Sequence, residues 1–464
     1  MLFPTKPSQT QIEIASLTKS VRSQGREKYM FLKRFQLGLI HVAVAMTLVP
    51  INSTLNRVMI YDLNISKTVF TLLAVFPYLF SPIQVAIGSF SDRHPILGFR
   101  RTPYILAGLI LCVLGLVVSP QVAFLMDQNF SLGLLVGVLA FGAWGMGYNL
   151  SAVSYLSLAS ELSGEKGRGK TVATMFFMMV IGLIATGISL SRMVPTYTPE
   201  LLSNAFNIVA ASALTLGLLG LFKLEPRSGR IADLSPHAEI YTVKQMASAI
   251  MENPVAKIFF VYLLLLLAAI LGQDVLLEPF GAEAFGMPIE ATSRIVSISG
   301  VFTLIAFIVA AVLEGRAPKK SIAQAGNLGA LAGFLLIIIS GVMRNLSIFY
   351  LGIMLLGFGT GISTVANLSL MFDLTVAGKV GLYIGAWGFS NGLSRLIGLL
   401  LAGIVADAAT RVTGQAMSGY LIVFGIEALM LLIAAIMLTR IDVNRFQKNV
   451  EEPSFTDKMA LASD

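Results

Sequence analysis

Few side chains in this sequence could do chemistry in an apolar setting, and they are quickly named. Arg395 and Glu427 each fall near the middle of a long apolar run, and His41 falls inside another. Ionisable groups at such positions are costly in lipid and need a partner or a task. For Arg395 and Glu427 the simplest task is to satisfy one another. Measured from the nearer ends of their runs they lie about 21 and 18 Å deep at the rise of an α-helix. Adjacent antiparallel helices would bring them together as a buried ion pair. Removing one partner would leave an uncompensated charge, on the order of 3–5 kcal/mol. His41 offers an imidazole for a hydrogen bond or, when neutral, for metal ligation. Asn52, Asn56, Gln84 and Asn149 add amides that commonly bridge helices. Asp274, Glu278, Glu283 and Glu290 make an acidic rim beside a later run, for which a solvated face is the ordinary role. Cys112 is the one cysteine, so neither an intrachain disulfide nor a CxxC metal site is available. With three histidines in all, a metal site made by the protein itself is not expected. No nucleophile–base set or phosphate loop stands out, and an enzyme is the least supported class.

The elements that must carry these residues follow from composition. Of 464 residues 56% are hydrophobic and 12% charged, against roughly a quarter charged in a soluble domain. Apolar runs long enough to cross a bilayer, about 20 residues each, recur at 35–55, 68–90, 102–120, 131–158, 171–191, 202–222, 254–276, 294–313, 322–342, 346–371, 381–405 and 417–439. Backbone groups in lipid must be satisfied internally, so these runs are expected to be helices. The predicted fold is an all-α membrane protein of twelve transmembrane helices in two six-helix bundles. The bundles span 35–222 and 254–439, with tails at 1–34 and 440–464 and a linker at 223–253. In the linker, Ile240, Val243, Met246, Ala247 and Ile250 recur at helical spacing and suggest a short amphipathic helix on the membrane face.

The net charge of +8 does not point to nucleic acid, because the basic residues are gathered on one side of the spans. Twenty-six Lys/Arg lie in the tails and alternate loops, and six (Arg57, Lys67, Arg192, Arg294, Arg344, Arg411) lie on the other side. That bias places both termini in the cytoplasm. The first 34 residues carry seven Lys/Arg and no apolar core, so they read as a cytoplasmic tail rather than a signal peptide.

The halves share a motif. Ser157-Leu158-Ala159-Ser160-Glu161-Leu162-Ser163 closes the fourth span and Ser369-Leu370-Met371-Phe372-Asp373-Leu374-Thr375 closes the tenth. Both read Ser-Leu-x-x-acid-Leu-hydroxyl after a glycine-rich stretch, as a duplicated unit would.

The loop after the second span runs from Gly88 through Asp92-Arg93-His94 to Gly98-Phe99-Arg100-Arg101. It resembles the inner-loop signature of the major facilitator superfamily, with Pro95 to Gly98 lengthening the stretch before the arginines. Gly88 permits close packing. Asp92 could cap the positive N-terminus of a neighbouring helix, which in that superfamily is the eleventh, starting here near Gly381. Glu314-Gly315-Arg316-Ala317-Pro318-Lys319-Lys320 is a degraded copy in the second half.

Thr54-Leu55-Asn56-Arg57-Val58-Met59-Ile60, taken with Ser91-Asp92-x-His94 and Gly98-Phe99-Arg100-Arg101-Thr102-Pro103-Tyr104, resembles the PucC/LhaA family, the bacteriochlorophyll delivery branch of that superfamily. The resemblance covers about 30 to 440. It implies a protein that supplies chlorophyll or bacteriochlorophyll to nascent light-harvesting or photosystem polypeptides, with chlorophyll synthase as a further partner. It also implies a cytoplasmic, intracytoplasmic or thylakoid membrane. Under that implication His41 could ligate the pigment's magnesium, and so could the oxygens of Asn52 or Asn149, since magnesium favours hard oxygen ligands. The ordinary alternative for His41 is a hydrogen bond within the bundle. A proton-coupled solute transporter and a non-transporting scaffold remain as other classes. Glu427 is the one acid near mid-membrane, and its expected pairing with Arg395 disfavours proton coupling.

Overall fold

The computed structural model describes residues 30–83, 87, 90–91, 93–227, 248, 250–251, 253–374, 380–442 and 446. Among the described residues eleven helices are long and apolar enough to cross a membrane. They are α1 (Met30–Asp62), α3 (Thr102–Gln128), α4 (Phe130–Ser163), α5 (Gly169–Met193), α6 (Pro199–Leu221), α7 (Pro254–Val275), α8 (Ile289–Leu313), α9 (Lys319–Met343), α10 (Leu346–Asp373), α11 (Val380–Thr413) and α12 (Ala416–Thr439). The remaining crossing, α2, begins as Lys67–Ala74 and is then broken into Phe76–Leu79 and a 3-10 turn at Ser81–Ile83. Pro77 explains the break before Phe76–Leu79, because it removes a backbone donor and crowds the preceding turn. A short helix, Leu277–Phe285, follows α7 and stops at Gly286, whose φ of 62° suits glycine.

The chain forms two bundles, with α3 packed on α4 and α6 in the first and α9 on α10 and α12 in the second. They meet along two seams, α2 against α11 and α5 against α8. Close approach at the α5–α8 seam depends on glycine. A Cβ on Gly187 would stand 2.5 Å from Ser297 Oγ, and one on Gly300 would stand 2.7 Å from Ile184.

The halves repeat in structure as well as in sequence. The turn after α2 closes with an isolated bridge between Ile96 and Phe99, and the turn after α8 with one between Glu314 and Ala317. Gly98 and Gly315 supply the left-handed residue in each, at φ 81° and 78°. The duplicated acids also do the same work. Glu161 accepts from Arg101 at 2.9 Å, and Asp373 accepts from Lys319 at 2.7 Å. In each half the end of the fourth crossing is therefore clamped to the start of the third. Gly88, Asp92, Gln84, both tails beyond these limits and nearly all of the expected linker helix lie outside the described residues.

Candidate functional site

The polar chemistry falls into four places. At one end of the first half Arg101 is buried and donates through Nη1 to Ser91 Oγ at 2.6 Å and through Nη2 to Glu161. Arg100 reaches the same carboxylate at 3.5 Å, while Arg93 is exposed. Glu225, just past α6, accepts from the backbone N–H groups of Arg100, Arg101 and Thr102 and from the Thr102 hydroxyl at 2.6 to 3.2 Å. It is an N-terminal cap for α3 supplied from outside the helix, where an acid also meets the favourable end of the dipole. The paired arginines thus serve to hold α2, α3 and α4 together.

At the opposite end the polar contacts join the halves. Asp407 of α11 sits on the N-terminus of α2, accepting from Ser66 Oγ at 2.5 Å, Thr68 N at 2.8 Å and Thr68 Oγ1 at 2.7 Å. Lys67 lies 4.0 Å from the same carboxylate and over the Tyr420 ring of α12 at 4.6 Å. Arg57 pairs with Asp62 at 2.6 Å and reaches across to the Met287 carbonyl at 3.2 Å. Asn56 donates to the Val275 carbonyl at 2.6 Å, and Thr54 and Ser293 hydroxyls meet at 3.1 Å. In this stretch α1 contains two π-helical turns, Ile51–Leu55 and Val58–Asp62, a feature that commonly marks functional segments.

The interior holds the residues singled out first, and it changes their pairing. Arg395 donates to Tyr78 OH of α2 at 2.9 Å and lies 5.2 Å from that ring's centroid. Glu427 is 1% exposed, and neither carboxylate oxygen has a hydrogen-bond partner. The expected Arg395–Glu427 pair is not formed. Depth along a helix fixes height but not the direction a side chain faces, and here the directions differ. Glu427 is packed against Gly272 of α7, where a Cβ would stand 2.8 Å from its Oε1, while Arg395 points across the seam to α2.

His41 is buried at 6% exposure between the Tyr155 ring, with centroids 5.2 Å apart, and the Phe176 ring at 5.0 Å. Its Nδ1 has no hydrogen-bond partner, so the bundle hydrogen bond expected as its ordinary role is not made at that atom. Asn52 is half-buried with Oδ1 unpartnered. It lies about 16 Å along α1 from His41 at helical rise, so the two do not share a site. Asn149 has a structural task. Its Nδ2 donates to the carbonyls of Pro77 at 2.7 Å and Gly145 at 2.8 Å, steadying the break in α2. Sequence reasoning missed a buried network in the second half. There Tyr262 donates to Asn367 at 2.7 Å, Asn327 to Tyr262 at 3.0 Å and Ser363 to Asn327 at 2.7 Å. Ser363 and Asn367, four residues apart on α10, and Asn327 within the apolar run of α9 were the available signal.

Two six-helix bundles meeting through α2–α11 and α5–α8 define a transporter-type fold of the major facilitator kind. The nucleoside transporter NupG superposes with a TM-score of 0.70 at 15% identity, covering 88% of this chain and 98% of that one. The family is narrower: the chain belongs to the PUCC protein family, whose profile matches residues 54–446. Protein PucC of Rhodobacter capsulatus is 30% identical over 429 residues, covering 88% of this chain and 92% of that protein. The bacteriochlorophyll synthase 44.5 kDa chain of Rhodobacter capsulatus is 25% identical over 417 residues, covering 88% and 95%. The protein is a multi-pass membrane protein of this family.

Proposed function

We propose that the protein handles chlorophyll or bacteriochlorophyll and delivers it to light-harvesting or photosystem polypeptides as they assemble. It acts without catalysis, in a photosynthetic or cytoplasmic membrane, with both termini on the cytoplasmic side. The orientation is supported by the 26-to-6 division of basic residues between the two sides of the spans. The pigment is supported by similarity, at 25% identity, to a relative described as a bacteriochlorophyll synthase chain, and partnership with a pigment synthase belongs to the same reading.

The observation on this chain that carries the proposal is His41. A buried imidazole nitrogen with no hydrogen bond is an unused donor, and a neutral imidazole is a suitable axial ligand. A bound pigment would bring its own magnesium and a flat apolar ring. His41 would hold the metal, while Tyr155 and Phe176 would flank the ring and exclude water. Asn52 Oδ1 is a second, harder donor, on the turn of α1 where the helix is π-wound.

The test is an absorption spectrum and pigment extraction on protein purified in mild detergent from a phototrophic host. Stoichiometric pigment that is lost in His41→Ala supports the reading and its ligand. Pigment retained in His41→Ala but lost in Asn52→Ala keeps delivery and moves the ligand. A folded, monodisperse sample without pigment overturns delivery in favour of a solute transporter or a scaffold.

A further inference from the structure

Where α6 ends, the chain builds a cavity of about 390 Å³ lined by Phe99, Thr102, Leu221, Lys223, Glu225 and Arg227. It lies at the same end of the first bundle as the Arg101 clamp, and its walls are fixed by α1 and α3. Gln36 Nε2 of α1 donates to the Phe222 carbonyl at 2.8 Å, and Lys33 Nζ of α1 donates to the Leu224 carbonyl at 3.3 Å. The Glu225 carboxylate sits on the N-terminus of α3. Between these anchors Lys223 has a φ of 50°, a left-handed conformation that a lysine adopts at a cost. Such strain persists where the surroundings enforce it, and ligand clamps are one such place.

Charge around the cavity is unbalanced. Glu225 is buried, and its oxygens already accept from the backbone N–H groups of Arg100, Arg101 and Thr102 and from the Thr102 hydroxyl. Lys223 and Arg227 are exposed, and among the described residues neither forms an ion pair. Instead the Lys223 ammonium lies 5.3 Å from the Phe222 ring centroid, and the Arg227 guanidinium lies 5.5 Å from that of Phe99. Two cations held over rings at the mouth of one cavity keep their N–H donors for an anion, and phosphate oxygens suit both head groups. Depth indicates which anion. Leu221 is the last residue of a crossing helix, so the cavity opens at headgroup height. Phe222 beside it is 67% exposed, and aromatic rings are favoured at that height. A soluble anion would leave this ring bare, whereas an acyl chain would cover it.

We propose that this cavity binds the phosphodiester headgroup of an anionic phospholipid, with Lys223 and Arg227 on the phosphate oxygens and Phe222 against the first acyl carbons. Basic pockets between crossing helices are suited to such headgroups. A lipid seated there joins the end of α6 to the turn that carries Phe99, on either side of the start of α3. The site lies apart from His41 and Asn52, so it goes beyond the pigment reading and does not rest on it.

Native mass spectrometry of the protein from mild detergent, with phosphatidylglycerol or phosphatidylcholine added, tests the site. The wild type is expected to retain one phosphatidylglycerol in preference to phosphatidylcholine. Lys223→Gly and Arg227→Gln should each weaken that binding about fivefold, the loss expected for one basic residue near a lipid surface. Lys223→Gly also guards against misfolding, because a φ of 50° suits glycine and its thermal unfolding should stay close to that of wild type. Lys170→Gln, which removes another exposed cation at this end of the bundle, should leave binding unchanged. Equal retention of the two lipids, or binding unaltered in both Lys223→Gly and Arg227→Gln, overturns the proposal. A loss in Lys170→Gln as large as in Lys223→Gly also overturns it and leaves only diffuse attraction to a basic surface. Displacement of the lipid by an equal concentration of glycerol 3-phosphate overturns the lipid source and assigns the cavity to a soluble phosphate.

Discussion

The two ends of the molecule are held together in different ways. At the Arg57 end the polar contacts run between halves: Asp407 of α11 caps α2, Arg57 reaches Met287, and Asn56 reaches Val275. At the Arg101 end the contacts found among the described residues run within each half. Arg101 binds Glu161, Glu225 caps α3, and Lys319 binds Asp373. Both ends use charged groups and helix termini, so the difference lies in whom they join. Bundles tied at one end and internally clamped at the other can rotate as rigid bodies about the tied end, a recurrent way to expose a site between domains. The comparison also separates the two copies of the clamp. Arg101 is 6% exposed at its side chain and bonded to both Ser91 and Glu161, whereas Lys319 is 37% exposed and bonded to the Asp373 carboxylate.

The largest effect should come from Arg101→Ala. It leaves Glu161 and Ser91 without their shared donor and should lower stability by about 3 kcal/mol, the upper range for hydrogen bonds to a charged group. Thermal unfolding in detergent should record that loss, while spin-label distances between halves at the Arg57 end stay as in wild type. Asp407→Ala should cost less, about 2 kcal/mol for a lost charged cap, but should act on geometry. Distances between α2 and α11 at the Arg57 end should lengthen or broaden, and an unchanged distribution would remove the tie from the account.

Next in size is a pH effect at the same end. Glu278 lies just past α7, fully buried, and burial pushes its carboxyl from the usual 4.5 up to about 8, with the Ser53 hydroxyl and the Arg57 charge pulling the other way. The folded protein keeps a proton that the unfolded chain releases, so this group's stabilisation is complete at low pH. It fades as pH rises from about 4.5 to about 8. Melting temperature followed across that window should fall more in wild type than in Glu278→Gln; parallel curves would show that Glu278 does not contribute. The smallest change belongs to Lys319→Ala, roughly 0.5 kcal/mol for a half-exposed pair. A loss equal to that of Arg101→Ala would mean the two clamps are equivalent after all.

The architecture was legible because hydropathy and the Ser-Leu-x-x-acid-Leu-hydroxyl repeat both report local or periodic constraints. The repeat even marked the right acids, Glu161 and Asp373, although not their partners. The broken α2 was readable in principle from Pro77. Asp407 was not, since its partners are some 340 positions earlier and nothing in its neighbourhood announces them. The Arg395–Glu427 expectation failed for a related reason. Residue counting along two helices sets their depths, while the choice of face was made by Gly272, a residue whose missing side chain leaves room for Glu427. His41 stood out by type alone, and its unbonded Nδ1 emerged only from the packing of α1 against α4 and α5.

The placement of the clamps also orders the protein's own making. The Glu225 cap and the Arg101–Glu161 pair need nothing beyond position 225, so the first bundle can complete them while the second is still on the ribosome. The Asp407 contacts close only when α11 has been inserted, and Lys67 meets Tyr420 only with α12. Nascent chains gain their domains in sequence, and here that sequence leaves the α2–α11 tie until after the Asn56–Val275 and Arg57–Met287 contacts can form. Until α11 arrives, the N-terminus of α2 has no carboxylate to satisfy it. A chain stalled before position 407 would present that bare helix end to the translocation machinery, as a sign that assembly is unfinished.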